Sequence, residues 1–481
     1  MRASSSFRQA ACRAAGHLLQ RFSQGFRRYR PWHRKHEMID ALEPRLLLAS
    51  DDFIEIHRIT GLLGVSTNGL FVPFGPGDQT INAGDGNDSI SVDECDNRVI
   101  TINMGTGTDL VSIGQGDLDK LEGGTIVVNA GSDSNTDQVF VDDVDDAGND
   151  EYDFSEPTAG LTDLTKPADA FGAVRVGQLH VQEKVTCNRH DNTVNLDSTL
   201  SLNNTDQLLQ IDVGESSTDT NTINFSGTVS GLGKLSVFGQ GGPDTLNLSG
   251  DTFSGSGTIE FFGLNGTDSL NIDDTAATDT YTIGADSITM VDGSQTGTIN
   301  YNADNITLTS ESTTAASNFI IQTPPDPVAN GADITLNCGG GDDVVTVGTG
   351  RLLPLFGLLT LNGQTGSDAI VFNDSNETAT PVTYSLSNNQ FDTSLILPAS
   401  LSSFSSFLLE AGSGTSNITV GTGNGSFSSV QVVGNGGSDN FDITPSVGYE
   451  ITALGGGQPL GGADDLDLIG GGAARGELNL T

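Results

Sequence analysis

Basic residues are scarce: 20 lysines and arginines stand against 62 aspartates and glutamates, and half of the basic ones fall within the first 50 positions. A chain this acidic repels phosphate, so nucleic acid is not expected as a partner. Cysteine is nearly absent. Cys12, Cys95, Cys187 and Cys338 are scattered without a CxxC pair, which excludes a zinc knuckle and a disulfide framework. Six histidines, half of them in the first 50 residues, do not suggest a transition-metal centre. No apolar run approaches membrane-spanning length, since Leu352 to Leu361 is interrupted by Pro354 and Gly357. Beyond residue 50 helical periodicity is also missing. At 35% the hydrophobic content is low, and with a net charge of −42 it would suit a disordered chain. Ordered repeats argue against that reading.

Eight aspartates each have a glycine two residues before them: Asp88, Asp109, Asp244, Asp268, Asp343, Asp368, Asp439 and Asp464. Apolar side chains follow in alternation, as in Leu246 and Leu248, Val345 and Val347, or Phe441 and Ile443. Glycine supplies the positive φ of a tight turn, aspartate accepts hydrogen bonds from N–H groups just after it, and period-two alternation gives the emerging strand one buried face. One such unit cannot hide its apolar face, so copies must stack.

The aspartates fall in close pairs, 21, 24, 25 and 25 residues apart. That spacing predicts an all-β fold, a parallel β-helix or β-solenoid with coils of about 24 residues and two or three short strands per coil. About sixteen coils, at roughly 4.8 Å each, would make a rod on the order of 75 Å. Pairs recur after 99 and 96 residues, read as four coils, and each copy carries a second marker at Tyr281 or Tyr384. Tyr152 marks a diverged earlier copy, with Asp137 in place of its Gly-linked aspartate. The expected organisation is a basic leader over 1–50, disordered or helical, a first repeat block over 51–140, degenerate repeats or an insertion over 141–220, and the main block over 221–481. Lys166-Pro167 and the acidic run Asp142 to Asp150 mark the weakest region.

The leader carries ten basic and three acidic residues but no apolar stretch suited to a conventional secretory signal. Arginine and serine richness also suits an organellar transit peptide. The leader ends on Leu42-Glu43-Pro44-Arg45-Leu46-Leu47-Leu48, preceded by Met38 to Ala41. This string resembles the LEPRxLL motif near the start of large bacterial exported or surface proteins, where long Gly/Asp-rich β arrays follow. The resemblance implies a sorting role for Leu42, Glu43, Pro44, Arg45, Leu47 and Leu48, and an extracellular or cell-surface location. A short helical turn ending before Pro44 is the plain alternative.

The turns also resemble the RTX nonapeptide, which binds Ca²⁺ between stacked coils; Ala83 to Ser91 and Cys338 to Thr346 come nearest. True RTX arrays run in direct tandem, and here a single turn per coil survives. The resemblance implies weak Ca²⁺ sites where marked turns stack, pairing Asp88 with Asp109, Asp244 with Asp268, Asp343 with Asp368, and Asp439 with Asp464. Each aspartate could equally just bond its own turn and face solvent.

Catalysis has little footing. Polysaccharide-active enzymes use β-helices and need clustered carboxylates beside an Arg, Lys or His. The one concentrated candidate is Cys187-Asn188-Arg189-His190-Asp191, before a strand at Thr193 to Leu196. The expectation is a non-enzymatic scaffold or adhesin. Its partners would be cell-envelope components, glycans or other copies of itself, with a carbohydrate-binding or polysaccharide-active protein as the alternative.

Overall fold

A computed structural model describes residues 45 to 470, apart from short interior stretches of which 323–330 is the longest. Apart from Arg45–Leu47, the leader expected over 1–50 lies outside the described residues, and with it motif residues Leu42, Glu43, Pro44 and Leu48. A compact unit spans Pro44–Thr481. The fold is nearly all β. Among the described residues the one helical turn is Leu118–Leu121, capped by the Asp117 side chain, and no helix is long and apolar enough to cross a membrane.

The chain alternates between two long sheets of 20 and 19 strands. Consecutive neighbours within each sheet are mostly parallel and in register. In the first sheet Leu246 lies opposite Leu270, Leu270 opposite Ile306, and Ile306 opposite Ile334. In the second, Val345 lies opposite Ile370 and Ile370 opposite Phe407. Each of these residues is at most 7% exposed, so the two inward faces share one apolar core. Burying such a side chain stabilises by roughly 1.5–3 kcal/mol. The 35% hydrophobic content suffices because each strand contributes only two or three inward positions.

The marked turns need glycine for two reasons. Gly266 has φ +134, and a Cβ there would meet the Gly242 carbonyl oxygen of the neighbouring turn at 1.8 Å. Close backbone approach between stacked turns therefore adds to the dihedral requirement.

Among the described residues one antiparallel meander precedes the parallel order, over Phe53–Ile59, Leu62–Thr67 and Leu70–Pro73, and three interrupt it. The three comprise Glu151–Thr158, Leu161–Thr165 and Ala173–Gly177; Asp279–Ile283, Ser287–Asp292 and Gln295–Asn302; and Val382–Ser387, Gln390–Thr393 and Ala399–Ser402. Each opens on a strand holding one of the marker tyrosines, Tyr152, Tyr281 and Tyr384, all of them buried. The second meander lies in the second sheet and the other two in the first.

Residues 141–220 carry strands that continue both sheets. Asp137–Asp142, Val181–Thr186, Leu208–Val213 and Lys234–Gly239 pair in parallel succession. The region also holds the first of those three meanders and Leu200–Leu202, which pairs with Val229–Gly231 beyond it as a two-stranded ledge.

The larger repeat needs correction. Among the described strands the chain crosses between sheets seven times from Asp244–Ser249 to Val344–Val347, and seven times again to Asn440–Ile443. Four whole coils, as expected, would give an even number of crossings, and the number is odd. Successive copies therefore start on opposite sheets.

Candidate functional site

The marked aspartates stack at the entrance to the strands. Asp109 Oδ1 accepts the main-chain N–H of Asp88 at 2.7 Å, and Asp137 Oδ1 accepts that of Asp109 at 3.0 Å. The other pairs repeat this contact: Asp268 with Asp244 N–H at 3.0 Å, Asp368 with Asp343 at 2.9 Å, and Asp464 with Asp439 at 2.9 Å. The four pairs read from the spacing are thus brought together, and Asp137 joins the first of them. The acceptor geometry differs from expectation. Each carboxylate reaches the backbone of the preceding layer, because in-register stacking places that N–H directly beneath it.

Neutral residues occupy the same position in other layers. Asn221 Oδ1 accepts Asn192 N–H at 2.9 Å, and Asp244 Oδ1 accepts Asn221 N–H at 3.3 Å and its side-chain amide at 2.8 Å. Ser317 and Ser416 donate their N–H groups to Asp343 and Asp439.

The second carboxylate oxygen is turned inward. In Asp109, Asp244, Asp343, Asp368 and Asp439 it is buried without a hydrogen-bond partner among the described residues. Glycine makes the room: a Cβ on Gly239 would meet Asp244 Oδ2 at 2.0 Å, on Gly263 would meet Asp268 Oδ2 at 2.0 Å, and on Gly434 would meet Asp439 Oδ2 at 2.2 Å. Burial, and then the neighbouring carboxylates, raise Asp109 and Asp439 to about 7, and Asp244 to about 7 against the opposing pull of Asn221. Asp343 rises to about 6 for the same first reason.

A second acidic corner recurs at the meanders. The tyrosine hydroxyl donates to a buried aspartate in every copy: Tyr152 to Asp143 at 2.7 Å, Tyr281 to Asp274 at 2.7 Å, and Tyr384 to Asp374 at 2.6 Å. Asp143 and Asp374 also accept the N–H of Leu118 and of Leu352. In the first copy a fully buried Lys166 ammonium lies 2.9 Å from Asp143, 2.7 Å from Asp146, 3.1 Å from Asp150 and 3.3 Å from Asp119. Burial alone would lower the Lys166 pKa; the contacts with Asp146 and Asp143 outweigh it and raise it. In the sequence Lys166 stands, with Pro167 and the run Asp142 to Asp150, only as a mark of the weakest repeat region. The available signal was a lysine two positions after inward-facing Leu164, in a region otherwise crowded with acids.

The groups of three carboxylates that converge closely enough to hold a cation, among the described residues, are Asp117, Asp119 and Asp146, and Asp143, Asp146 and Asp150. The second set is the one that surrounds Lys166.

The candidate loop at Cys187 to Asp191 is a folded turn. Cys187 is buried, Asn188 donates to the Gly148 carbonyl and accepts His190 N–H, and Asp191 accepts Thr220 N–H. Arg189 reaches the exposed Asp145 at 3.7 Å.

Outside these corners the first sheet carries amide ladders. Asn103 donates to Asn82 and Asn129 to Asn103, at 2.6 and 2.8 Å. Further along, Asn224, Asn247 and Asn271 form a continuous row with Asn195 at 2.9–3.0 Å.

No protein-family model matches the chain, and no curated protein matches it.

Proposed function

We propose that this protein is a β-solenoid of about 24-residue coils that serves, without catalysis, as an exported or cell-surface scaffold or adhesin. One observation carries the reading. The aspartates and asparagines that would supply chemistry in a site hold one layer to the next instead, from Asp52 N–H on Asp88 to Asp439 N–H on Asp464. Export rests on the likeness of Leu42 to Leu48 to the LEPRxLL motif. Envelope components, glycans or further copies of the chain are its proposed partners.

Small-angle scattering should give an elongated particle, and a compact globule would end the proposal. Glycan arrays separate adhesin from scaffold. In the alternative, a polysaccharide-active protein, loss of turnover on changing Arg189 and His190 would favour enzyme over scaffold; the half-exposed ion pair of Arg189 and the internal bonds of the loop favour a structural turn.

Calcium at the stacked pairs is the second reading, favoured by the charge of Asp268 raising the pKa of Asp244, and that of Asp464 raising Asp439, from one layer away. An ion there would have to gather six to eight oxygens where Oδ1 is already engaged and Oδ2 lies against glycine. Melting in millimolar Ca²⁺ and in chelator tests it, and identical curves would remove it.

A further inference from the structure

We propose that the second half of the Leu42–Leu48 string is the closing strand of the fold, so that folding itself hides the motif. Arg45–Leu47 forms a strand that pairs in parallel with Gln79–Asn82, placing Arg45 opposite Thr80, Leu46 opposite Ile81 and Leu47 opposite Asn82. The same register continues inward, with Thr80, Ile81 and Asn82 opposite Thr101, Ile102 and Asn103. The motif strand thus extends the repeating order of the first sheet by one layer.

Without it, Gln79–Asn82 would be that sheet's edge, a row of unpaired N–H and C=O groups open to another chain. The second sheet is finished near the same end by an antiparallel meander of Phe53–Ile59, Leu62–Thr67 and Leu70–Pro73. Among the described residues both sheets thus end on segments that lack the marked turn, as repeat arrays require of their terminal units. The same pairing draws the start of the compact unit to Pro44, inside the motif.

It follows that a factor reading the whole string as an extended peptide must do so before the first layer closes. That consequence rests on the sorting role proposed above; the closing strand does not.

Hydrogen exchange on the full chain tests the strand. The amides of Arg45 to Leu47 should exchange on the order of a hundredfold slower than in a free peptide of residues 40–50, in step with those of Thr80 to Asn82. An antibody against that peptide should bind the urea-unfolded chain and not the native one. Removing residues 2–43 should leave the melting temperature unchanged, whereas removing 2–50 should lower it by several degrees or abolish folding. Free-peptide exchange at Arg45 to Leu47, or equal antibody binding to native and unfolded protein, would overturn the closing strand whatever the truncations do. Failure of residues 1–50 to export a fused reporter would remove the sorting role and leave the strand intact.

Discussion

Asp268 holds Asp244 by its backbone, the carboxylate Oδ1 lying 3.0 Å from the Asp244 nitrogen, while Asp244 in turn holds Asn221. The contact fixes the spacing of two turns and buries charge to do so, and pH should report it directly.

The buried carboxyls at Asp109, Asp244, Asp343 and Asp439 lie at about 6 to 7 in the folded chain, well above the ordinary aspartate value near 3.9. The native state therefore binds protons more tightly than the unfolded state. Stability should rise as pH falls from about 7.5 to about 4 and be lost again as pH climbs through the folded values. Asp133, Asp146 and Asp206, shifted downward, act in the opposite sense but are fewer. Urea titrations at pH 5 and pH 8 check this; a higher midpoint at pH 8 would contradict it.

Asn192 and Asn221 already occupy ladder positions, which suggests how Asp244 will tolerate change. Asp244→Asn should lie within about 1 kcal/mol of the parent at pH 8 and flatten the pH dependence. Asp244→Leu should cost roughly 1–3 kcal/mol by leaving the Asn221 donors unsatisfied. Denaturation of the two variants side by side measures the difference.

Glycine 263 lies under the Asp268 carboxylate, with 2.0 Å available to a Cβ. Gly263→Ala should destabilise by roughly 1–3 kcal/mol through overpacking. Gly425 has nothing within 4 Å of its Cβ position, so Gly425→Ala should be neutral or stabilising by up to about 1 kcal/mol. Equal effects at the two sites would show that Oδ2 does not fill the space above Gly263.

Replacing Lys166 by Met should cost roughly 3–5 kcal/mol at neutral pH, because Asp143, Asp146 and Asp150 lose their buried counter-charge. Asp143 rises to about 6, chiefly by burial, so part of the loss should return at pH 5 as that carboxyl takes up a proton. A loss independent of pH would point to packing alone.

Much of this arrangement was legible in the sequence. Strands such as Thr258–Phe262 and Asn305–Ser310 follow from alternation, and the four aspartate pairs follow from glycine turns 21 to 25 residues apart. What stayed hidden depends on which sheet a strand joins. Val382–Ser387 reads as one more strand, yet it opens an antiparallel meander, and nothing in its alternation distinguishes the two. For the same reason the larger repeat was counted as whole coils. Lys166 reads in the sequence as part of a break and not as a counter-charge, because its partners come from the Asp119 segment and the Asp143 to Asp150 run, which meet only on folding.

The odd number of crossings between sheets gives successive copies of the marked turn opposite addresses. Duplicating the unit therefore advances the motif and flips it, in the manner of a screw axis, so a ligand specific for one such corner would meet it on alternating flanks. A bivalent partner could straddle the protein where a monovalent one would have to choose a side.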